Sequence, residues 1–238
     1  MARAENKGRD MKLQVVVDLA RSIPDSADSR PTRLRELRDA EHPTCLYYRF
    51  LHDLVDKWGP LDVIEIGTYV GTSAAHLAVC NYAATGGVMT FGQVTTIDVN
   101  ADAKRCVDEL AIPNIRALTG DSHAAVDRVK ALLGGDKVDV LYVDGNHTFT
   151  RAYGEYYLYR PLVREGGLMI FDDVGLEMDG DEMNVMWDMI PDPKCRVDHL
   201  HPNTGFGIVE KREGTNVLTP LAVMERAAPI ITSRRRRA

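Results

Sequence analysis

The sequence predicts an α/β fold: a doubly wound sheet of seven strands, mostly parallel, closing with a C-terminal antiparallel strand pair and preceded by a helical segment. Three observations predict it. Short apolar runs alternate with longer helical patterns from Leu61 to Lys211, and such alternation marks parallel strands joined by crossover helices. The first run passes through a glycine turn into a helix of small residues, in Val63-Ile64-Glu65-Ile66-Gly67-Thr68-Tyr69-Val70-Gly71-Thr72-Ser73. Nearly every run then ends in a carboxylate, at the strand edge where open α/β sheets gather their ligands.

The elements follow in order. Met11 to Ser22 is a helical candidate, broken by Pro24, Asp25, Ser26 and Pro31. Thr44, after Pro43, is an N-cap for an amphipathic helix from Leu46 to Trp58, which carries Leu46, Phe50, Leu51, Leu54 and Trp58 on one side. Gly59-Pro60 stops it. Leu61 to Ile66 is the first strand and Ser73 to Cys80 the helix after it. Gln93 to Val99 is the second strand, with a helix from Ala101 to Leu110. Asn114 to Thr119 is the third, followed by Gly120-Asp121-Ser122 and a helix from Ala124 to Leu133. Lys137 to Val143 is the fourth, ending in Asp144, with a helix from Thr150 to Val163. Gly166-Gly167 turns into the fifth, Leu168 to Phe171, ending in Asp172-Asp173. Met183 to Ile190 is a short helix, and Arg196 to Leu200 with Phe206 to Lys211 forms the antiparallel pair. The domain reading is an N-terminal helical cap or lid over 1–58, the α/β domain over 59–213 and a C-terminal tail over 214–238.

Composition excludes several classes. No run of eighteen apolar residues is present to cross a membrane. Met1 to Asp10 is charged and lacks the apolar stretch of a secretion signal. Cys45, Cys80, Cys106 and Cys195 are scattered, with no C-x-x-C, so free thiols in the cytoplasm are the expectation. The net charge is −6, and Arg234 to Arg237 supply four of the positive charges. The rest of the chain is more acidic still and unsuited to nucleic-acid phosphates. The arginine run reads as a solvated terminus.

The glycine turn narrows the ligand. A dinucleotide fingerprint is G-x-G-x-x-G, with a helix N-terminus aimed at a pyrophosphate. Here the pattern is Glu65-x-Gly67-x-x-x-Gly71. A carboxylate at the strand end repels a pyrophosphate and suits a ligand with an amino group and a sulfonium charge. Asp98, closing the second strand, is placed to accept ribose hydroxyls, or else to cap the following helix. Asp121 and Ser122 lie where an adenine amino group would fall, and both are also good N-caps. Asp144, Asp172 and Asp173 converge if the fourth and fifth strands are neighbours. Three such carboxylates repel and raise one another's pKa unless a cation neutralises them, and all-oxygen donors favour Mg²⁺, Ca²⁺ or Mn²⁺ over zinc. His147, three residues after Asp144, has an imidazole suited to taking a proton near neutral pH. His199 and His201 sit where they could line a substrate pocket. Val174 to Pro193, acidic and rich in Met, follows the aspartates as a lid or as an amphipathic helix packed on the sheet.

Leu61 to Val174 resembles the metal-dependent class I S-adenosylmethionine (SAM) O-methyltransferases. Glu65 to Ser73 is similar to the catechol-type cofactor motif. Asp144-Gly145-Asn146-His147-Thr148-Phe149, with Leu162-x-x-x-Gly166-Gly167 and Phe171-Asp172-Asp173, is closer to bacterial enzymes acting on sugars and natural products. The resemblance implies a Rossmann-like fold, with Glu65, Gly67, Tyr69 and Ser73 contacting SAM, Asp98 on the ribose, Asp121 and Ser122 near adenine, and Asp144 serving both cofactor and metal. It implies Mg²⁺ on Asp144, Asp172 and Asp173, and His147 as base where catechol enzymes carry lysine. The implied acceptor is a saccharide or glycosylated small molecule, with a catechol or phenol as the alternative and a homodimer as a possible assembly. A SAM binder without catalysis and a dinucleotide oxidoreductase are the rival readings.

Overall fold

The structure is a computed structural model that describes residues 11–24, 46–78, 92–178 and 181–235. The Thr44 cap, Cys45, Cys80 and the last two arginines of the terminal run lie outside these residues, as does most of the segment before Leu46.

Helices α1 (Leu13–Arg21) and α2 (Tyr47–Trp58) come first, then β1 (Val63–Ile66), α3 (Thr72–Ala78), β2 (Val94–Asp98), α4 (Ala101–Leu110) and β3 (Ile115–Thr119). Next are α5 (Ser122–Leu133), β4 (Val138–Val143), α6 (Phe149–Tyr159) and β5 (Val163–Asp172). A small ribbon, β6 (Glu177–Met178) with β7 (Asp181–Glu182), leads to α7 (Met183–Met189), β8 (Lys194–Arg196), β9 (Phe206–Glu210) and α8 (Pro220–Arg235). The main sheet has seven strands in the order β3-β2-β1-β4-β5-β9-β8. β1 to β5 run parallel, while β9 is antiparallel to β5 and β8 antiparallel to β9. Strand order therefore reverses between β1 and β4, and a crevice opens outside their carboxyl ends.

Side-chain alternation sorts the sheet into two cores. Ile64, Ile66, Leu141, Val143, Met169 and Phe171 pack on one face with residues of α5 to α8. Val63, Val140, Tyr142, Leu168 and Ile170 pack on the other with α1, α2 and α3. Phe50, Leu51 and Leu54 of α2 and Val16 and Ala20 of α1 are buried in that second core. The Leu13 N–H donates to the Glu210 carboxylate at 2.8 Å, tying α1 to β9.

Several expectations are corrected in detail. The sixth helix ends at Tyr159, and Arg160–Leu162 forms a 3₁₀ turn around Pro161, whose ring nitrogen cannot continue the helix ladder. β5 then starts at Val163, and Gly166-Gly167 lies within it. The β4–β5 register shifts between Val138 and Val140, and a Cβ on Gly167 would stand 2.8 Å from the Asp139 carbonyl oxygen. The glycine pair is thus part of a strand irregularity, where backbones pass closely. β8 lies at Lys194–Arg196 and Asp198–Leu200 is a 3₁₀ turn, so the last pair begins earlier than its sequence suggests. The segment after the aspartates folds down: Val174, Met183, Val185, Met186 and Trp187 are buried. Residues 220–235, expected as part of a tail, form a helix that buries Val223 and Ala227 against the first core.

Candidate functional site

The crevice is a cleft of about 710 Å³, lined from the turns after β1, β2, β3 and β4 and from α2 and α6. Its floor is built by the glycine turn. Gly67 has φ +94°, and a Cβ there would stand 1.9 Å from the Asp144 carbonyl oxygen. Only glycine lets the turn after β1 pass that close to the turn after β4. The Asp98 carboxylate organises the same turn: Oδ2 accepts from Thr68 N–H at 3.0 Å and Tyr69 N–H at 2.9 Å, and Oδ1 from Asn100 N–H at 2.8 Å. Asn100, not Asp98, caps α4, accepting from Asp102 N–H. Asp98 still lines the cleft, as do Gly67, Tyr69 and Ser73. Tyr69 is held at φ 48° and Val99 follows Asp98, and both expose large apolar surfaces at the cleft.

Glu65 lies away from the lining. It is fully buried, and the Thr96 and Ser73 hydroxyls donate to it. Burial pushes its carboxyl up to about 8 despite those hydrogen bonds.

The turn after β3 brings Asp121 and Ser122 to the cleft. Asp121 caps α5 through Ala124 N–H and pairs with the Arg151 guanidinium, which outweighs its desolvation and holds it below the usual carboxylate range. The Ser122 hydroxyl donates to Glu155 Oε1 at 2.6 Å. Arg151 and Glu155, both on α6, line the same cleft.

Beside the cleft, the turn after β4 and the end of β5 bring Asp144, Asp172 and Asp173 together with two histidines. His147 Nε2 stands 3.1 Å from Asp173 Oδ2 and 3.5 Å from Asp144 Oδ1. His201 Nδ1, from the turn before β9, stands 2.7 Å from Asp172 Oδ1 and 3.6 Å from Asp173 Oδ1. Asp144, His147 and Asp173 form one candidate ligand set, and Asp172, Asp173 and His201 another, with ligand atoms within 4.8 Å of one another in each. Burial and the neighbouring Asp144 charge push Asp172 up to about 7. Burial also raises Asp144. Burial alone would lower His147, but the surrounding aspartates outweigh it and hold the imidazole above its ordinary value. Tyr142 donates its hydroxyl to Asp144 Oδ2 at 3.2 Å. This donor set, buried carboxylates short of positive charge with imidazoles beside them, fits a divalent cation.

α2 supplies a wall that sequence reasoning missed. Tyr47 and Tyr48 line the cleft, their rings 4.3 Å apart. The Tyr47 ring also stacks on Phe206 at 5.7 Å and lies tilted against His201 at 5.2 Å. Burial and the charges of Asp144 and Asp172 raise its phenol far above the ordinary range, so it stays a donor. Tyr48 stacks on the buried His76 at 5.3 Å. Glu155 was missed too, although a lone acid among Ala152, Tyr156 and Tyr159 on an apolar helix face was the signal for it. His199 faces away from the site, near the Ala20 carbonyl, whereas His201 reaches the aspartates.

Comparison with known proteins places this geometry. Residues 64–174 match the family model described as a methyltransferase domain. No curated protein matches the sequence. Among solved structures, a putative caffeoyl-CoA O-methyltransferase from Staphylococcus aureus superposes with a TM-score of 0.55 at 18% identity, covering 83% of this chain and 98% of its own. The O-methyltransferase TomG of tomaymycin synthesis from Streptomyces achromogenes, solved with SAM, gives 0.56 at 16% identity, covering 84% and 96%. A TDP-rhamnose 3'-O-methyltransferase of calicheamicin biosynthesis gives 0.52 at 15% identity, covering 90% and 97%. These likenesses establish the fold, the Rossmann-like methyltransferase fold expected from the sequence.

Proposed function

We propose that this protein is a methyltransferase that moves the methyl group of SAM to a hydroxyl of a saccharide or glycosylated small molecule. The single observation that carries the reading is the adjacency of two features. A cleft built by Gly67, Asp98 and Ser122 adjoins a partly buried cluster of Asp144, Asp172, Asp173 and His147. The first suits an adenosyl ligand with an amino-acid tail, and the second suits an acceptor hydroxyl that must lose a proton.

Asp144, Asp172 and Asp173 would hold Mg²⁺ or another divalent cation of similar hardness, with His147 and His201 adjoining. Such a cation, when bound, supplies Lewis-acid stabilisation of a developing alkoxide. His147 takes the hydroxyl proton on Nε2, the atom that faces Asp144 and Asp173. The cleft walls align acceptor oxygen and sulfonium methyl for in-line displacement, and that positioning is the main source of rate. Tyr142 orients Asp144 by its hydrogen bond. Residues 1–58 act as a cap on the domain at 59–213, a role supported by the two α2 tyrosines in the cleft.

The saccharide assignment draws on the Asp144-to-Phe149 pattern and on the fold shared with a TDP-rhamnose methyltransferase. The tyrosine wall favours a second reading, a phenolic or catechol acceptor that would stack on it. Among the described residues no helix is long and apolar enough to cross a membrane. The test is incubation with methyl-labelled SAM, Mg²⁺ and a panel of nucleotide sugars, glycosides and catechols. The reading expects label on a sugar hydroxyl. Label on catechols alone would favour the second reading, and label on nitrogen or carbon acceptors would overturn both.

A further inference from the structure

Glu155 has a role that neither the sequence motifs nor the methyl-transfer chemistry uses. It sits on α6, 1% exposed, and lines the cleft. Its Oε1 accepts from the Ser122 hydroxyl, while Oε2 is buried with no hydrogen-bond partner among the described residues. A buried carboxylate oxygen left without a donor is destabilising, and one on a residue that lines a ligand cleft is the kind of exception that a ligand's donor resolves. Burial pushes this carboxyl up to about 7 despite the Ser122 hydrogen bond.

The neighbouring carboxylate is in the opposite position. Asp121 has Oδ1 engaged by Ala124 N–H and Oδ2 by Arg151. The Ser122 hydroxyl spends its one proton on Glu155, so it can offer the cleft only lone pairs. This corner therefore presents Glu155 Oε2, with no donor among the described residues, beside Ser122 Oγ, which takes a long 3.4 Å contact from Arg151 Nη2. A ligand edge with two N–H donors on one nitrogen is the complement, and in an adenosyl cofactor that edge is the exocyclic 6-amino group.

We propose that Glu155, together with the Ser122 hydroxyl it orients, is the residue that reads the adenine 6-amino group, and that Asp121 is a capping residue rather than the reader. This rests on the SAM reading above. Discrimination follows from the same accounting: a purine without the amino group leaves the buried Glu155 oxygen unpaired, and a hypoxanthine adds a carbonyl oxygen facing it.

The test compares calorimetric affinities of S-adenosylhomocysteine and its 6-deamino (purine riboside) analogue. At pH 8, where the Glu155 carboxyl is ionised, the adenosyl compound should bind the wild type at least about tenfold tighter, the worth of one hydrogen bond to a charged acceptor. In Glu155→Ala that ratio should collapse to about twofold or less, because affinity for the adenosyl compound falls while that for the analogue holds. Ser122→Ala, a one-atom change, should lower the ratio too, and it serves if Glu155→Ala fails to give a cooperative thermal melt. Asp121→Ala should leave the ratio near the wild-type value. Equal losses for both compounds in Glu155→Ala would mean a merely structural role, and collapse of the ratio in Asp121→Ala instead would make Asp121 the reader; either overturns the inference but leaves the SAM reading standing. Binding of neither compound to the wild type would overturn the SAM reading and this inference with it.

Discussion

At the scale of single residues, the site is a contest between desolvation and charge. His147 lies between Asp144 and Asp173, close enough to serve as base and to be held by both. His147→Ala should therefore cut turnover by about 10²–10⁴-fold, the range for a positioned general base, while the affinity for S-adenosylhomocysteine stays within about twofold. Single-turnover methyl transfer and calorimetry read the two halves separately, and wild-type turnover would remove the base assignment. The aspartates and His147 were legible in the sequence because each closes a strand or follows its end by a fixed spacing, and strand order brings such ends together. Tyr47, Tyr48, His201 and Glu155 were harder to see. They arrive from α2, from the turn before β9 and from the body of α6, elements whose approach to the cleft is set by packing rather than by local pattern. Glu65 shows the opposite limit: its motif position was evident, but not that its carboxylate sits below the floor, held by Ser73 and Thr96.

At the scale of elements, the alternation of strands and helices was readable because the central strands β1 and β4 are runs of residues buried on both faces. The ends were less so. The extension of β5 back to Val163 depends on a register shift opposite β4 that no propensity signals. α8 has no strong apolar stripe, and it is docked through Val223 and Ala227 after the chain has passed β9. One ion pair fastens the loop between α7 and β8 to the 3₁₀ turn after α6. Asp192, 2% exposed, accepts from Arg160 Nε at 2.6 Å and Nη2 at 2.9 Å, from the Tyr156 hydroxyl at 2.7 Å and from Arg212 N–H at 3.1 Å. Those donors overcome its desolvation and hold the carboxyl below its ordinary value. Asp192→Asn leaves the Arg160 charge half-buried and uncompensated, so it should cost about 3 kcal/mol and lower Tm by about 6–12 °C. An unchanged Tm in a thermal melt would mean that the pair adds nothing to the fold.

At the scale of the whole molecule, the ligand-free protein carries acids that the fold keeps from ionising. Glu65 is pushed up to about 8 and Glu155 to about 7, both chiefly by burial. Each binds a proton in the fold that the unfolded chain has released, so unfolding free energy falls as pH rises through this range. His147, raised in the fold, acts in the same direction. His76, lowered to about 3 by burial, acts oppositely, but only below its ordinary 6.5. From pH 6.5 to 8 the acids prevail, and Glu65 alone should remove about 2 kcal/mol. Denaturant melts of the ligand-free protein should show that loss, and Glu65→Gln should flatten it; a wild-type profile flat over this interval would contradict the burial argument. The central claim is that the cleft at the β1–β4 switch point holds an adenosyl cofactor, and calorimetric titration of S-adenosylhomocysteine in the presence of Mg²⁺ tests it most directly. The account predicts saturable one-to-one binding that Asp98→Ala weakens by at least about tenfold, since Asp98 both lines the cleft and holds the glycine turn. No binding heat from S-adenosylhomocysteine, with tight binding of a nicotinamide dinucleotide in its place, would contradict it.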